Sequence, residues 1–116
     1  MSEYCDSAIN LQQLNQISEG DVEFEVEVLQ VYVEDVLQRL EAIRTAIANG
    51  DRHDVAAHGH QIKGSSSNVG AFEIRSLAAK IEDDQQDLQS IQQLTDLILE
   101  KLKLVELVIA EKAASL

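Results

Sequence analysis

The sequence predicts an all-α protein, an antiparallel up-down-up-down four-helix bundle with a short N-terminal helix covering one end. Three observations predict it. Apolar residues recur at three- and four-residue spacing along segments far longer than strands run. The 116 residues contain no proline, and the five glycines fall mostly between those segments, which suits a few long uninterrupted helices. Apolar residues make up 45% of the chain and aromatics only 3%, so the core must be built from Leu, Ile, Val and Ala, which favours packed helices over a sheet sandwich. A chain of this length forms one domain, residues 1–116, and buries roughly two thirds of its unfolded surface.

The first element is a short lid helix with Leu11, Leu14 and Ile17 on one face and Ser18-Glu19-Gly20 as its end. A long segment follows from about Asp21 to Ala48, with Asp21 placed to cap it and Asn49-Gly50 to end it. At its start Val22, Phe24, Val26 and Val28 alternate with polar residues as in a half-buried strand. Val22, Val26, Leu29, Val33, Val36, Leu40, Ile43 and Ile47, however, keep four-three spacing throughout, which only a helix sustains.

A third helix starts at Asp51, which can cap it, and runs to about Val69, with Gly70 as the break. The fourth covers Ala71 to about Asp84, with Ile74, Leu77, Ala78 and Ile81 inward and Glu82-Asp83-Asp84 solvated. The last runs from about Leu88 to Ala113 on an inner stripe of Ile91, Leu94, Ile98, Leu102, Val105 and Ile109. Leu97, Leu99, Leu104 and Leu107 widen that stripe enough to meet more than one neighbour. Short turns between four such helices make consecutive neighbours antiparallel.

A net charge of -12 argues against nucleic acid or an anionic membrane as partner, since both require clustered Lys and Arg. A protein partner is expected instead. The single Cys5 excludes an intrachain disulfide and agrees with a reducing compartment. With no membrane-length apolar run and no signal-peptide pattern, a cytoplasmic location is the default. Starting at Met1 suggests a free-standing protein.

The chemistry concentrates in His60-Gln61-Ile62-Lys63-Gly64-Ser65-Ser66 of the third helix. At about 100° per residue, the face of His60 is shared by His53, Ala56, Ala57, Lys63, Gly64 and Ser67. Apart from His53 and Lys63 these are small, leaving a low surface that another protein can approach. Val55, Gly59, Ile62, Ser66 and Val69 form the opposite stripe, where Gly59 and Ser66 admit a neighbouring helix. His58 turns toward the bundle and reads as a structural, hydrogen-bonded imidazole. His53 is two turns from His60, roughly 10 Å along the axis, too far for one metal ion to take both, and no other ligand set is evident.

A neutral imidazole is a competent nucleophile toward phosphorus. Lys63 at i+3 can reach a phosphoryl dianion there, an attraction of about one to two kcal/mol with partial screening. Gly64 in mid-helix costs about 1 kcal/mol relative to Ala, which calls for a steric reason; clearance beside the imidazole supplies one. Ser66 reads as a helix-packing residue. From Val55 to Phe72 the chain has no Asp or Glu, although 21 acids in 116 residues would put roughly three there. A phosphoryl acceptor benefits from that gap.

This stretch resembles the histidine-containing phosphotransfer domains of multistep phosphorelays, whose motif runs His-x-Leu/Ile-Lys-Gly-Ser/Ala-Ser/Ala. The short N-terminal helix, the Gly20-Asp21-Val22-Glu23-Phe24 entry into a long helix and the Asn49-Gly50-Asp51 turn are similar as well. The resemblance implies that His60 accepts a phosphoryl group from a receiver-domain aspartyl phosphate and passes it to another receiver, with Lys63 as electrostatic partner and Gly64 as the clearance residue. It implies response-regulator receiver domains and a hybrid sensor histidine kinase as partners. Ala56, Ala57, Gly64 and Ser67 would then form the contact face, supported by Gln61. No cofactor is expected on this chain; Mg2+ would belong to the receiver's acidic pocket. A polar residue on the following helix, often Gln, holds the imidazole in some members. The matching position here is Glu82, a departure, because a carboxylate would orient the ring but oppose added negative charge.

Two other functions compete. A helical adaptor could bind receivers or kinases through the same face without carrying phosphate, although it would not need His60 beside Lys63 and Gly64. A histidine-dependent phosphatase would require a second catalytic group near His60, and none lies within its helix. The chain has no ATP-binding kinase motif, so it is expected to relay phosphate and not to generate it.

Overall fold

The structure, a computed structural model, describes residues 8–83 and 86–116. These residues form α1 (Leu11–Ser18), α2 (Val22–Ala48), α3 (Arg52–Val69), α4 (Phe72–Glu82) and α5 (Leu88–Ala114). No strand occurs among them. Cys5, Asp84 and Gln85 lie outside the described residues.

Each long helix starts where a side chain satisfies an orphan backbone N–H. Asp21 accepts from the Phe24 N–H at 3.1 Å and Asp51 from the Asp54 N–H at 3.1 Å, both at the positions the sequence indicates. Asn10 and Asp87 do the same for α1 and α5, accepting from Gln13 and Ser90. The alternating start of α2 is helical: Val26 is buried, Val22 and Val28 half-buried, and Phe24 exposed, a rotation of about 100° per residue.

The bundle closes as a ring in which α2 and α4 each pack against both α3 and α5. Tyr32 meets Ser66 and Arg39 meets His58, so α2 and α3 run antiparallel. Glu25 meets Lys112, which makes α2 and α5 antiparallel as well. The fully buried interior includes Leu29, Val36, Ile43, Val55, Ile62, Ile74, Ile81, Ile91, Ile98 and Leu102, each such side chain worth about 1.5–3 kcal/mol of burial. Short α1 touches α2 and α3. It is tied to the end of α3 by the Asn10 N–H donating to the Gly70 carbonyl at 2.8 Å. Gly70 has φ +79°, and a Cβ there would stand 2.9 Å from the Asn10 carbonyl oxygen, so only glycine suits this corner.

Several expected apolar faces are rotated. Ile17 is 42% exposed and Ser18 takes the buried position instead. Leu97 and Leu107 are exposed while Thr95 and Val108 turn inward, and Leu94 and Ile109 are half-buried. On α2, Tyr32, Ala46 and the acid Glu25 join the interior, whereas Val22 and Ile47 are half-buried. An eight-residue helix has little pattern from which to fix its rotation. Over 27 residues, a straight helix drifts about 20° per heptad from a strict four-three repeat. Glu25 is inside because Lys112 reaches it at 2.8 Å and the Ser18 hydroxyl donates to it at 2.5 Å. This polar clamp joins the α1–α2 turn to the end of α5.

Candidate functional site

The inward stripe of α3 is the one its spacing predicts: Val55, Gly59, Ile62, Ser66 and Val69 are all buried. His60 therefore points outward, its side chain 61% exposed. His58, half-buried toward α2, accepts at Nδ1 from the Arg39 guanidinium at 3.4 Å and lies 3.6 Å from Asp54. It is the hydrogen-bonded imidazole the helix geometry implies. Ser66 packs inward as expected, and its hydroxyl pairs with the Tyr32 hydroxyl at 2.6 Å. Burial pushes the Tyr32 phenol well above its ordinary pKa, so it remains a neutral partner. Tyr32 has no marker in the apolar pattern of α2 beyond its place one residue before Val33.

Gly59 determines how close α4 comes. A Cβ on it would stand 2.9 Å from Ile81 Cγ2, 3.1 Å from the Glu82 nitrogen and 3.3 Å from the Ala78 carbonyl oxygen. With only hydrogen there, the last turn of α4 settles onto α3 and delivers Glu82 to the histidine face. Glu82 Oε1 lies 2.9 Å from His60 Nδ1, and Oε2 lies 2.6 Å from Lys63 Nζ. Glu82 is thus half-buried and doubly paired, not solvated as its sequence neighbourhood suggests. The acid-free stretch from Val55 to Phe72 does not give His60 acid-free surroundings, because the carboxylate arrives from another helix. The carboxylate that a histidine-dependent phosphatase would need is thereby present, on the Nδ1 side of the ring.

Glu82 is the final residue of α4, at the negative end of the helix dipole, where a carboxylate is disfavoured by a few tenths of a kcal/mol or more. The two partners on α3 compensate. The Lys63 ammonium first, and the His60 ring second, hold its carboxyl below the ordinary carboxylate range. An ionised carboxylate can only accept a hydrogen bond, so Nδ1 of His60 carries the proton in this pair. In the neutral ring Nε2 is then the nitrogen with the free lone pair.

His60, Ala56, Ala57, Gln61 and Glu82, with Arg52, His53 and Asp83, line one open concavity. Gly64 and Ser67 lie on the C-terminal side of His60, outside it, Gly64 exposed and Ser67 half-buried. Among the described residues a Cβ on Gly64 would meet nothing within 4 Å, so no packing among them accounts for this mid-helix glycine. Among the described residues, no group of three or more His, Cys, Asp and Glu side chains is placed to hold a metal ion. None of the described helices is long and apolar enough to cross a membrane.

A helical bundle presenting an exposed histidine that is tautomerically fixed and flanked by a lysine and a bare glycine defines a class of histidine-bearing helical domains. The chain belongs to the Hpt domain family, whose model matches residues 27–110. It is 37% identical over 65 residues to the phosphorelay intermediate protein rdeA of Dictyostelium discoideum, an alignment covering 56% of this chain and 26% of that protein. The aligned segment thus spans about a quarter of the length of this curated relative. The fold is similar to the crystal structure of histidine-containing phosphotransfer protein B (HptB) from Pseudomonas aeruginosa PAO1. The TM-score is 0.83 at 21% identity, covering 94% of this chain and 96% of that one.

Proposed function

We propose that this chain is a cytoplasmic phosphorelay intermediate, acting as one domain, that takes a phosphoryl group onto His60 from a receiver-domain aspartyl phosphate and passes it to the aspartate of another receiver. The observation that carries this reading is the hydrogen bond from His60 Nδ1 to Glu82, which assigns the free lone pair to Nε2 of an exposed ring. That lone pair attacks phosphorus while the P–O bond to the aspartate breaks and the carboxylate keeps the electron pair. The reverse step returns the N–P pair to Nε2 as the second receiver's carboxylate takes the phosphoryl group.

Lys63, already beside Glu82, offsets the charge of the incoming dianion. Gly64, together with Ala56, Ala57 and Ser67, keeps the surface around the imidazole low for the receiver, and Gln61 adds a polar contact at its edge. Magnesium belongs to the receiver's acidic pocket in this scheme, and the chain supplies no cofactor of its own. It is a carrier without kinase activity, served by a hybrid sensor histidine kinase and response-regulator receivers. The test is incubation with a phosphorylated receiver domain. A label that is labile to acid, stable to base and lost in His60→Gln is expected, while an undiminished label in that folded variant would sink the proposal.

A further inference from the structure

We infer that the groove between α2 and α5 is a docking site for a basic amphipathic helix of another protein. The groove is separate from the His60 face, and its occupation does not depend on His60 carrying phosphate.

Two adjoining concavities on the α2–α5 seam share Leu37 and so form one groove. Its floor is apolar: Val33 and Leu40 are buried, Leu99 and Ile109 are half-buried, and Leu37 is 40% exposed. Along α2 the lining runs from Gln30 to Arg44, about 21 Å at the helical rise, which accommodates roughly four turns of a further helix. A helix laid in such a furrow buries apolar residues at i, i+3, i+4 and i+7 against both walls. An extended peptide would instead need a sheet edge, and the described residues contain no strand.

Charge decides what must flank the apolar stripe of that helix. Ion pairs span other parts of the bundle surface: Lys63–Glu82 joins α3 to α4, Lys101–Glu73 joins α4 to α5, and Lys112–Glu25 closes the end of the α2–α5 seam. Beside the groove stand two exposed acids instead, Glu34 from α2 and Glu106 from α5. Neither makes an ion pair among the described residues. A third acid, Glu41, is met only by Arg44 of its own helix, at 3.8 Å. Acids on both lips of an apolar floor repel one another, and a helix with Lys or Arg on either side of its apolar stripe satisfies both.

A second copy of this chain fits poorly. With 21 acids against 9 Lys and Arg, a two-fold contact here would double the acids around the groove. An anionic membrane is repelled for the same reason. Because α2 and α4 each pack on both α3 and α5, the α2–α5 seam lies across the bundle from the α3–α4 seam that carries His60 and Glu82. A helix seated in the groove anchors the domain and leaves the imidazole face open.

The probe is a synthetic helical peptide of about four turns, with leucines at i, i+3, i+4 and i+7 and lysines on both flanks, titrated into the 15N-labelled protein. A scrambled peptide of the same composition is the control. Binding in the micromolar range is expected, with chemical-shift changes centred on Leu37, Leu99 and Ile109 and affinity falling as salt rises. The scrambled peptide, and the double variant Glu34→Lys/Glu106→Lys, should bind roughly tenfold more weakly or worse. Both glutamates are exposed, so an unchanged urea midpoint should accompany that loss, and Leu37→Ser should weaken binding independently of charge. Equal affinity for the scrambled peptide, shifts centred on another face, or undiminished binding by Glu34→Lys/Glu106→Lys would overturn the proposal. Sedimentation showing a dimer that Leu37→Ser dissolves would assign the groove to a second copy and overturn it equally. Phosphoryl transfer at His60 is read by a different assay, so neither result decides the other.

Discussion

Gly59 of α3 and Ile81 of α4 are in direct apposition, with a distance of 2.9 Å between the Ile81 Cγ2 atom and the place a Gly59 Cβ would occupy. Backbone atoms of Glu82 and Ala78 close the same spot, so a methyl group there cannot be relieved by a side-chain rotation alone. Gly59→Ala should gain about 1 kcal/mol of helix propensity and lose about 1–3 kcal/mol to overpacking, for a net loss of up to about 2 kcal/mol in urea unfolding. The displaced α4 should also lengthen the His60–Glu82 hydrogen bond, observable as a changed Nδ1 signal in 15N NMR. An unchanged ring signal together with wild-type stability would show that α4 tolerates the shift.

Gly64 should respond in the opposite way. With nothing among the described residues within 4 Å of its Cβ position, Gly64→Ala should stabilise the protein by about 0.5–1 kcal/mol. Gly64→Gln should leave the circular-dichroism helix content nearly unchanged and slow transfer with a receiver by obstructing its approach. Unchanged transfer rates in Gly64→Gln would remove the clearance argument.

The Tyr32–Ser66 hydroxyl pair, 2.6 Å apart and buried, links the two helices on the other flank of α3. Tyr32→Phe leaves the Ser66 hydroxyl without its partner and should cost about 1–2 kcal/mol. Adding Ser66→Ala should recover part of that loss, because no unpaired hydroxyl then remains. A double-mutant cycle by denaturant titration measures the coupling.

Acid should weaken the clamp at the opposite end. Burial is the largest influence on Glu25 and pushes its carboxyl up, but the Lys112 and Ser18 hydrogen bonds and the Lys112 charge together leave it below the ordinary value of 4.5. A carboxyl lowered by folding contributes stability that is fully present above its unfolded value and is lost as pH falls through its folded one. The wild type should therefore lose this contribution on acidification below about 4.5. In Lys112→Met burial dominates, so the contribution of Glu25 should reverse sign and favour the fold as pH drops. The difference in urea midpoint between the two proteins, at neutral pH and in acid, reads this directly.

Much of this architecture is legible along the chain. The four-three spacing of α2, the Asp21 and Asp51 caps and the complete inner stripe of α3 all follow from local periodicity, since helical rotation alone assigns Ile62 inward and His60 outward. What periodicity does not carry is the approach of one helix to another. Glu82 sits in an acidic run that looks solvated by spacing, so that its place beside the imidazole is legible only through the family resemblance; physically, the absence of a Cβ on Gly59, 23 residues earlier, lets α4 bring it there. Glu25 reads as surface until Lys112 arrives from the far end of the chain. Ile17, Leu97 and Leu107 show the converse error, in which hydrophobicity stood in for a helix rotation that the neighbours decide.

The division of the site between α3 and α4 bears on protein design. Grafting His60 through Ser66 onto a foreign helix would transplant the imidazole and its nearby cation, but not the acceptor that decides which ring nitrogen is free. The smallest transplantable unit is therefore an interhelical junction, comprising the motif, a glycine one residue upstream of the histidine, and the last turn of a second helix ending in a carboxylate.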